Sequence, residues 1–173
     1  MRPVLTLIDR ASRLAETVAV LLLFGYAALM LTEVVARAQA RSFSFTWEFS
    51  TYAMAAIFAL GAGPALRHGV HVRIGLLADA LPEQAQRVLD LAAMLVALAV
   101  VAALVQAMGV KTYGSFDRTI LATSVTKTPL WIPQALVTWG LAQLWLDLLA
   151  RLVRRWTGAP YEWRDTDAEP EDA

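Results

Sequence analysis

The sequence predicts an all-α integral membrane protein with four transmembrane helices, a short interfacial amphipathic helix and both termini in the cytoplasm. Three observations carry that expectation. The chain has 173 residues, 58% hydrophobic and only 17% charged, against about 45–50% apolar in ordinary soluble domains. The charges are clumped, leaving charge-free runs at residues 17–32, 49–66, 91–110 and 128–146. Lys and Arg are also shared unequally between the two sides that these runs would separate. A hydrocarbon core about 30 Å thick is crossed by roughly 20 helical residues. The third run suffices alone, and the other three borrow from their flanks while long side chains snorkel outward. A soluble four-helix bundle would carry a charged stripe on each helix, and none of these runs has one. The spans are placed at about 14–37, 47–67, 83–110 and 128–153, in a membrane domain of residues 1–157.

The first span resembles a signal peptide, with Arg2, Arg10 and Arg13 ahead of it and "AQA" at 38–40. However, Val18 and Ala38 stand 20 residues apart, longer than an h-region of about 7–15. Glu33 and Arg37 also intervene, so a retained helix is the better reading. These two lie one turn apart at the far end of the span and can pair on one face. An ionisable group at membrane depth is a functional candidate. The plainer reading, a boundary ion pair or inter-helix contact, is preferred to a proton-coupling role.

Trp47 and Glu48 open the second span, the Trp at an interface and the Glu at the positive end of a helix. The segment "RHGVHVRIGLLADALPEQ" follows, at residues 67–84. Val70, Ile74, Leu77, Ala78 and Leu81 recur at helical spacing, with Arg67 and Arg73 among the cations, which suits an interfacial helix over about 70–81. His68 and His71 sit three apart, but no carboxylate or third His lies near in sequence to complete a metal site. Pro82 is placed in the first turn of the third span. Thr128 and Pro129 are read as cap and first-turn proline of the fourth span, followed by Trp131. Pro133 is a candidate kink. Trp131 and Trp145 would bracket about 21 Å of helix, one at each aromatic belt. Small residues crowd spans 2 and 3 (Ala53, Ala59, Gly61, Gly63, Ala97, Ala103, Gly109). Such faces let helices approach closely and point to a larger membrane partner. Residues 158–173 are acidic and read as a disordered cytoplasmic tail.

Ten of the 15 Lys and Arg fall on the side holding the N-terminus, the loop after span 2 and the C-terminus. The other side has Arg37, Arg41, Lys111, Arg118 and Lys127. The richer side should be cytoplasmic, which agrees with an even number of spans. With zero net charge and no Cys, there is no global case for nucleic-acid binding and no route to disulfides, thiolate metal sites or dithiol redox chemistry.

Four motifs then occur in register: "TEVVAR" at 32–37, "FTWEFSTY" at 45–52, "LRHGVHVRIGLL" at 66–77 followed by "LPEQ", and "TPLWIPQ" at 128–134. In this order the chain resembles the small, DctQ-type membrane subunit of a tripartite ATP-independent periplasmic (TRAP) transporter, over roughly residues 14–155. It departs at Gly75, where that family often carries an acidic residue, so no carboxylate role is carried over there. The resemblance implies four membrane helices plus an interfacial one, in the bacterial inner membrane. It implies a large DctM-type partner that binds substrate and sodium and moves as an elevator, and a periplasmic protein that delivers an organic acid. This chain would then be neither an enzyme nor a cofactor carrier. Structural or partner-interface candidates are Glu33, Arg37, Trp47, Glu48, Arg67, His71, Arg73, Pro129, Trp131 and Pro133. Candidate contacts for the binding protein are Arg41, Lys111, Arg118 and Lys127. Among the rivals, a membrane redox subunit needs axial ligands inside the core, and no span contains His. A small drug exporter needs a mid-membrane carboxylate, which the four runs lack. A non-catalytic assembly subunit of another complex is the remaining alternative.

Overall fold

The computed structural model describes residues 2–67, 82–124 and 126–157. They form four α-helices: α1 (Arg2–Ala38), α2 (Thr46–Arg67), α3 (Glu83–Asp117) and α4 (Trp131–Thr157). No strand occurs among the described residues beyond an isolated bridge between Leu121 and Pro129. Each helix is long and apolar enough to cross a membrane, as the four charge-free runs require. The interfacial helix expected over about 70–81, with His71 and Arg73, and the tail expected at 158–173 lie outside the described residues.

The helices run past the apolar runs at several ends. α1 begins at Arg2, so residues 2–13 are helical rather than a leader to a span starting near 14. α3 continues through Lys111 to Asp117. Lipid sets where apolar side chains stop, but backbone hydrogen bonding continues until a cap ends it. α1 and α3 end alike. Arg41 N–H donates to the Ala36 carbonyl and Ala40 N–H to that of Arg37; Ile120 N–H donates to Ser115 and Thr119 N–H to Phe116. Both are six-to-one, five-to-two closures that normally place glycine in the left-handed position. Here Ala40 (φ 56°) and Thr119 (φ 48°) occupy it, at roughly 1–2 kcal/mol each.

α4 starts at Trp131, two residues later than the Thr128 cap implies. Thr128 accepts from Ala122 N–H, and Leu130 N–H donates to Ile120, which ties 120–122 to 128–130 in a small antiparallel turn. Pro129 therefore belongs to the loop. Pro133 falls in the first turn of α4, where a proline forfeits no intrahelical bond, and the reason to expect a kink there disappears. The helix-interior proline is Pro64 in α2, which leaves the Leu60 carbonyl without its usual donor.

α4 is the central element. α1 and α2 pack on each other and on α4, while α3 lies against α4. One apolar cluster joins Ala15 and Ala19 of α1, Leu60 of α2 and Trp139 of α4. A second joins Leu66 of α2, Val101 of α3 and Leu144, Trp145 and Leu148 of α4. Trp145 thus packs between helices instead of standing in an aromatic belt. At the waist, Gly140 of α4 meets the backbone of α2. A Cβ there would lie 2.5 Å from the Ala59 carbonyl carbon and 2.6 Å from Leu60 N. The outward faces of α1 (Leu21, Phe24, Leu31, Val34) and α3 (Val88, Val96, Val100, Val110) are exposed and apolar, as lipid or a membrane partner demands.

Candidate functional site

Polar side chains gather at the two ends of the α1–α2–α4 core, with the apolar waist between them. At one end, Asp9 and Ser12 from α1, Arg67 from the last turn of α2, and Gln143, Asp147 and Arg154 from α4 converge. Arg67 is 5% exposed in its side chain, Asp9 4% and Asp147 0%. Arg67 Nη2 sits 2.6 Å from Asp147 Oδ1 and 2.8 Å from Asp9 Oδ1, and its Nε donates to Asp147 Oδ1 at 3.0 Å. Arg154 Nη2 grips both oxygens of Asp9, at 2.8 and 2.6 Å. Ser12 Oγ donates to Asp147 Oδ2 at 3.0 Å. Gln143 Nε2 donates to Asp147 Oδ1 at 3.1 Å, and reaches the Ile8 carbonyl at 3.4 Å. Two carboxylates face two guanidiniums, so these four charges sum to zero. Burying them is tolerable only because nearly every lone pair and proton is used. Within this cluster, Arg67 Nη1 is buried without a partner among the described residues. Gly63 makes room for the arrangement, since any Cβ there would strike the Asp147 carboxylate.

The other end is tied by two glutamates. Glu33, 5% exposed, accepts from Arg37 Nε at 2.8 Å, Thr46 Oγ1 at 2.9 Å and Phe43 N–H at 3.2 Å. One carboxylate thus closes the α1–α2 loop and holds the start of α2. Glu48 accepts from Tyr52 Oη at 3.0 Å and from Thr126 Oγ1 of the α3–α4 loop. Trp47 beside it is 84% exposed, so it faces outward. Trp131 meets Phe116 edge-on, with centroids 5.5 Å apart. Replacing Glu33 by Gln should open the α1–α2 loop, because a neutral amide oxygen cannot hold three donors as tightly. The check is limited proteolysis and amide exchange over residues 39–46, expected to speed up while the opposite end stays protected.

The candidate binding-protein contacts separate by position. All four are exposed; Arg41 and Lys127 stand in loops, whereas Lys111 and Arg118 line a cleft beside Ser115 and Gln134. Among the structural candidates, Glu33 and Arg37 pair, and Arg67 is not at an edge but at the centre of the buried network. Sequence reasoning passed over its partners Asp9, Ser12, Gln143, Asp147 and Arg154. A signal was available: Gln143, Asp147 and Arg154 recur at helical spacing in α4, and Asp9 and Ser12 lie on the stripe that continues through Ala15 and Ala19. A search for charge-free runs discards polar residues at the margins, and that is where these lie.

Four membrane-length helices, three of them joined at one end by a buried polar network and with apolar faces outside, define a polytopic membrane protein. A family model described as tripartite ATP-independent periplasmic transporters, DctQ component, matches residues 26–158, and the chain belongs to that family: it is a small membrane subunit of a TRAP transporter. No curated protein and no solved structure matches it.

Proposed function

We propose that the chain is the bracing subunit of a sodium-coupled TRAP transporter for organic acids in the bacterial inner membrane, with both termini in the cytoplasm. It widens and stiffens the stationary wall of a large DctM-type subunit. That subunit carries substrate and sodium and moves as an elevator. The small subunit also helps seat the periplasmic binding protein. The observation that carries this reading is the contrast between inside and outside. Three helices are locked by a buried ionic network at one end, and at the other Glu33 ties α1 to α2 and Glu48 ties α2 to the α3–α4 loop, while broad apolar faces of α1 and α3 are left uncovered. A wall that resists tilting needs the first property, and docking on another membrane protein needs the second.

Co-expression with a DctM-type subunit followed by affinity purification tests this directly. The two chains are expected to leave the membrane together and to transport only together; a chain that purifies alone, with uptake by the large subunit unimpaired, would refute it. For seating of the binding protein, Arg41, Lys111, Arg118 and Lys127 are the candidates, and the loop cations Arg41 and Lys127 lie outside the α3–α4 cleft. Reversing Arg41 and Lys127 to Glu should raise the binding-protein concentration needed for half-maximal uptake by about tenfold, with the rate at saturation kept, since rim charges act mainly on encounter. Unchanged uptake at limiting binding protein would remove these two from the interface.

A further inference from the structure

The cleft of about 270 Å³ between the end of α3 and the start of α4 is lined by Lys111, Ser115, Arg118 and Gln134 among others. Lys111, Ser115 and Arg118 fall at i, i+4 and i+7 and share one face of α3. Neither cation pairs with a carboxylate among the described residues, although other arginines of this chain do. Across the cleft, Gln134 Oε1 is buried and has no hydrogen-bond donor. A buried acceptor left unpaired costs roughly 1–3 kcal/mol, so this side of the cleft calls for a ligand that donates. The cleft also sits at a particular depth. Lys111 is the first charge after the apolar run 91–110, and Tyr113, Phe116 and Trp131 ring the same level, where aromatic side chains mark lipid headgroups. On the same face of α3, towards the middle of the membrane, Leu104 and Val100 are exposed.

We infer that this cleft is a specific phospholipid site. Lys111 and Arg118 hold the headgroup phosphate, Gln134 accepts from a donor beyond the phosphate, and an acyl chain lies along Leu104 and Val100. Phosphate answers two cations left without a carboxylate at a cleft whose remaining walls, Ile120 and Leu130 among them, are largely apolar. The donor is an ammonium or a hydroxyl, so ethanolamine and glycerol headgroups fit and choline, with no N–H or O–H, does not. The inference rests on the cleft and stands whether or not the transporter reading does.

The test is native mass spectrometry of the full chain released from detergent, titrated with phosphatidylethanolamine, phosphatidylglycerol or phosphatidylcholine. The first two are expected to be retained about tenfold better than the third, the worth of one hydrogen bond to a charged or polar partner. Lys111→Gln with Arg118→Gln should weaken retention of all three. Gln134→Leu should abolish only the preference over phosphatidylcholine. Inorganic phosphate at millimolar concentration should displace none of them; displacement would mean a free-anion site and overturn the lipid assignment. Equal retention of the three lipids by the wild type, or no change in the double variant, would overturn it too. So would unchanged lipid retention in a double variant that loses uptake only at limiting binding protein, because the two cations would then belong to the docking surface.

Discussion

Arg67→Met is expected to lower the stability of the chain by about 3–5 kcal/mol, the cost of stranding a buried charge. Among the described residues Arg67 is the cation within ion-pair distance of Asp147, and it shares Asp9 with Arg154. Without it, Asp147 keeps Ser12 and Gln143 as donors but no opposite charge. Its negative charge would be left in the seam where α1, α2 and α4 meet. The measurement is thermal unfolding of the detergent-solubilised chain, alone and with a DctM-type partner. The coupling is read from a cycle. Arg67→Met with Asp147→Leu removes both ends of the contact, and should recover a substantial part of the loss, since replacing a buried pair by apolar groups is often neutral or stabilising. If the double variant is no more stable than the single ones, the ion pair is not what holds α2 to α4. The loss should also survive high salt, because screening acts on exposed pairs and this one is shielded.

The second large effect is expected at Gly140. Its Cα faces the backbone of Ala59 and Leu60, and the nearest of these atoms would stand 2.5 Å from an added Cβ. The obstacle is main chain, so it cannot swing aside as a side chain would. Gly140→Ala should cost about 1–3 kcal/mol by forcing the helices apart, and Gly140→Leu more. The strain should spread along the α2–α4 seam in both directions, loosening Arg67–Asp147 at one end and the Leu60 cluster at the waist. A cysteine pair engineered across that seam should cross-link less readily in Gly140→Ala than in the parent. Gly61→Ala in the same helix as Ala59 is the control. A Cβ at Gly61 meets nothing within 4 Å, so this change should be silent. Helix propensity favours Ala over Gly at both positions, so an equal change in stability at 61 and 140 would mean that close approach does not set the effect at Gly140.

Both predictions concern contacts that the sequence made hard to see, and the reasons differ. Gly140 lies in a run with Ala135 and Ala142, where small residues are common and nothing marks one of them as indispensable. Only the position of α2 does so. Asp9, Asp147 and Arg154 are conspicuous as letters, but charges at the edge of an apolar run ordinarily meet water and headgroups. Their burial depends on α1 extending back to Arg2 and α4 forward to Thr157, so that the three helix ends overlap in depth. The same overlap converts Arg67 from a boundary marker into the hub of a network. Glu33 was easier. Its partner Arg37 is four residues away on one helix, and local spacing alone brings the two together. Its bonds to Phe43 and Thr46 come from the loop folding back and were not visible. The helix-ending residues Ala40 and Thr119 are a further instance: glycine is the usual signal for that closure, and neither position has it.

What the linear chain determines is its solvent. Long stretches without charge have no acceptable home but lipid, and in lipid the backbone must satisfy its own hydrogen bonds, so four helices follow from composition and length alone. Which helix is central, which glycine is indispensable and which charges vanish from the surface were decided only by the tertiary structure. Those properties depend on how helices far apart in sequence are set in rotation and depth against one another. Asp9 and Arg154 are separated by 145 positions, and no periodicity within either helix states that their ends will lie at the same level.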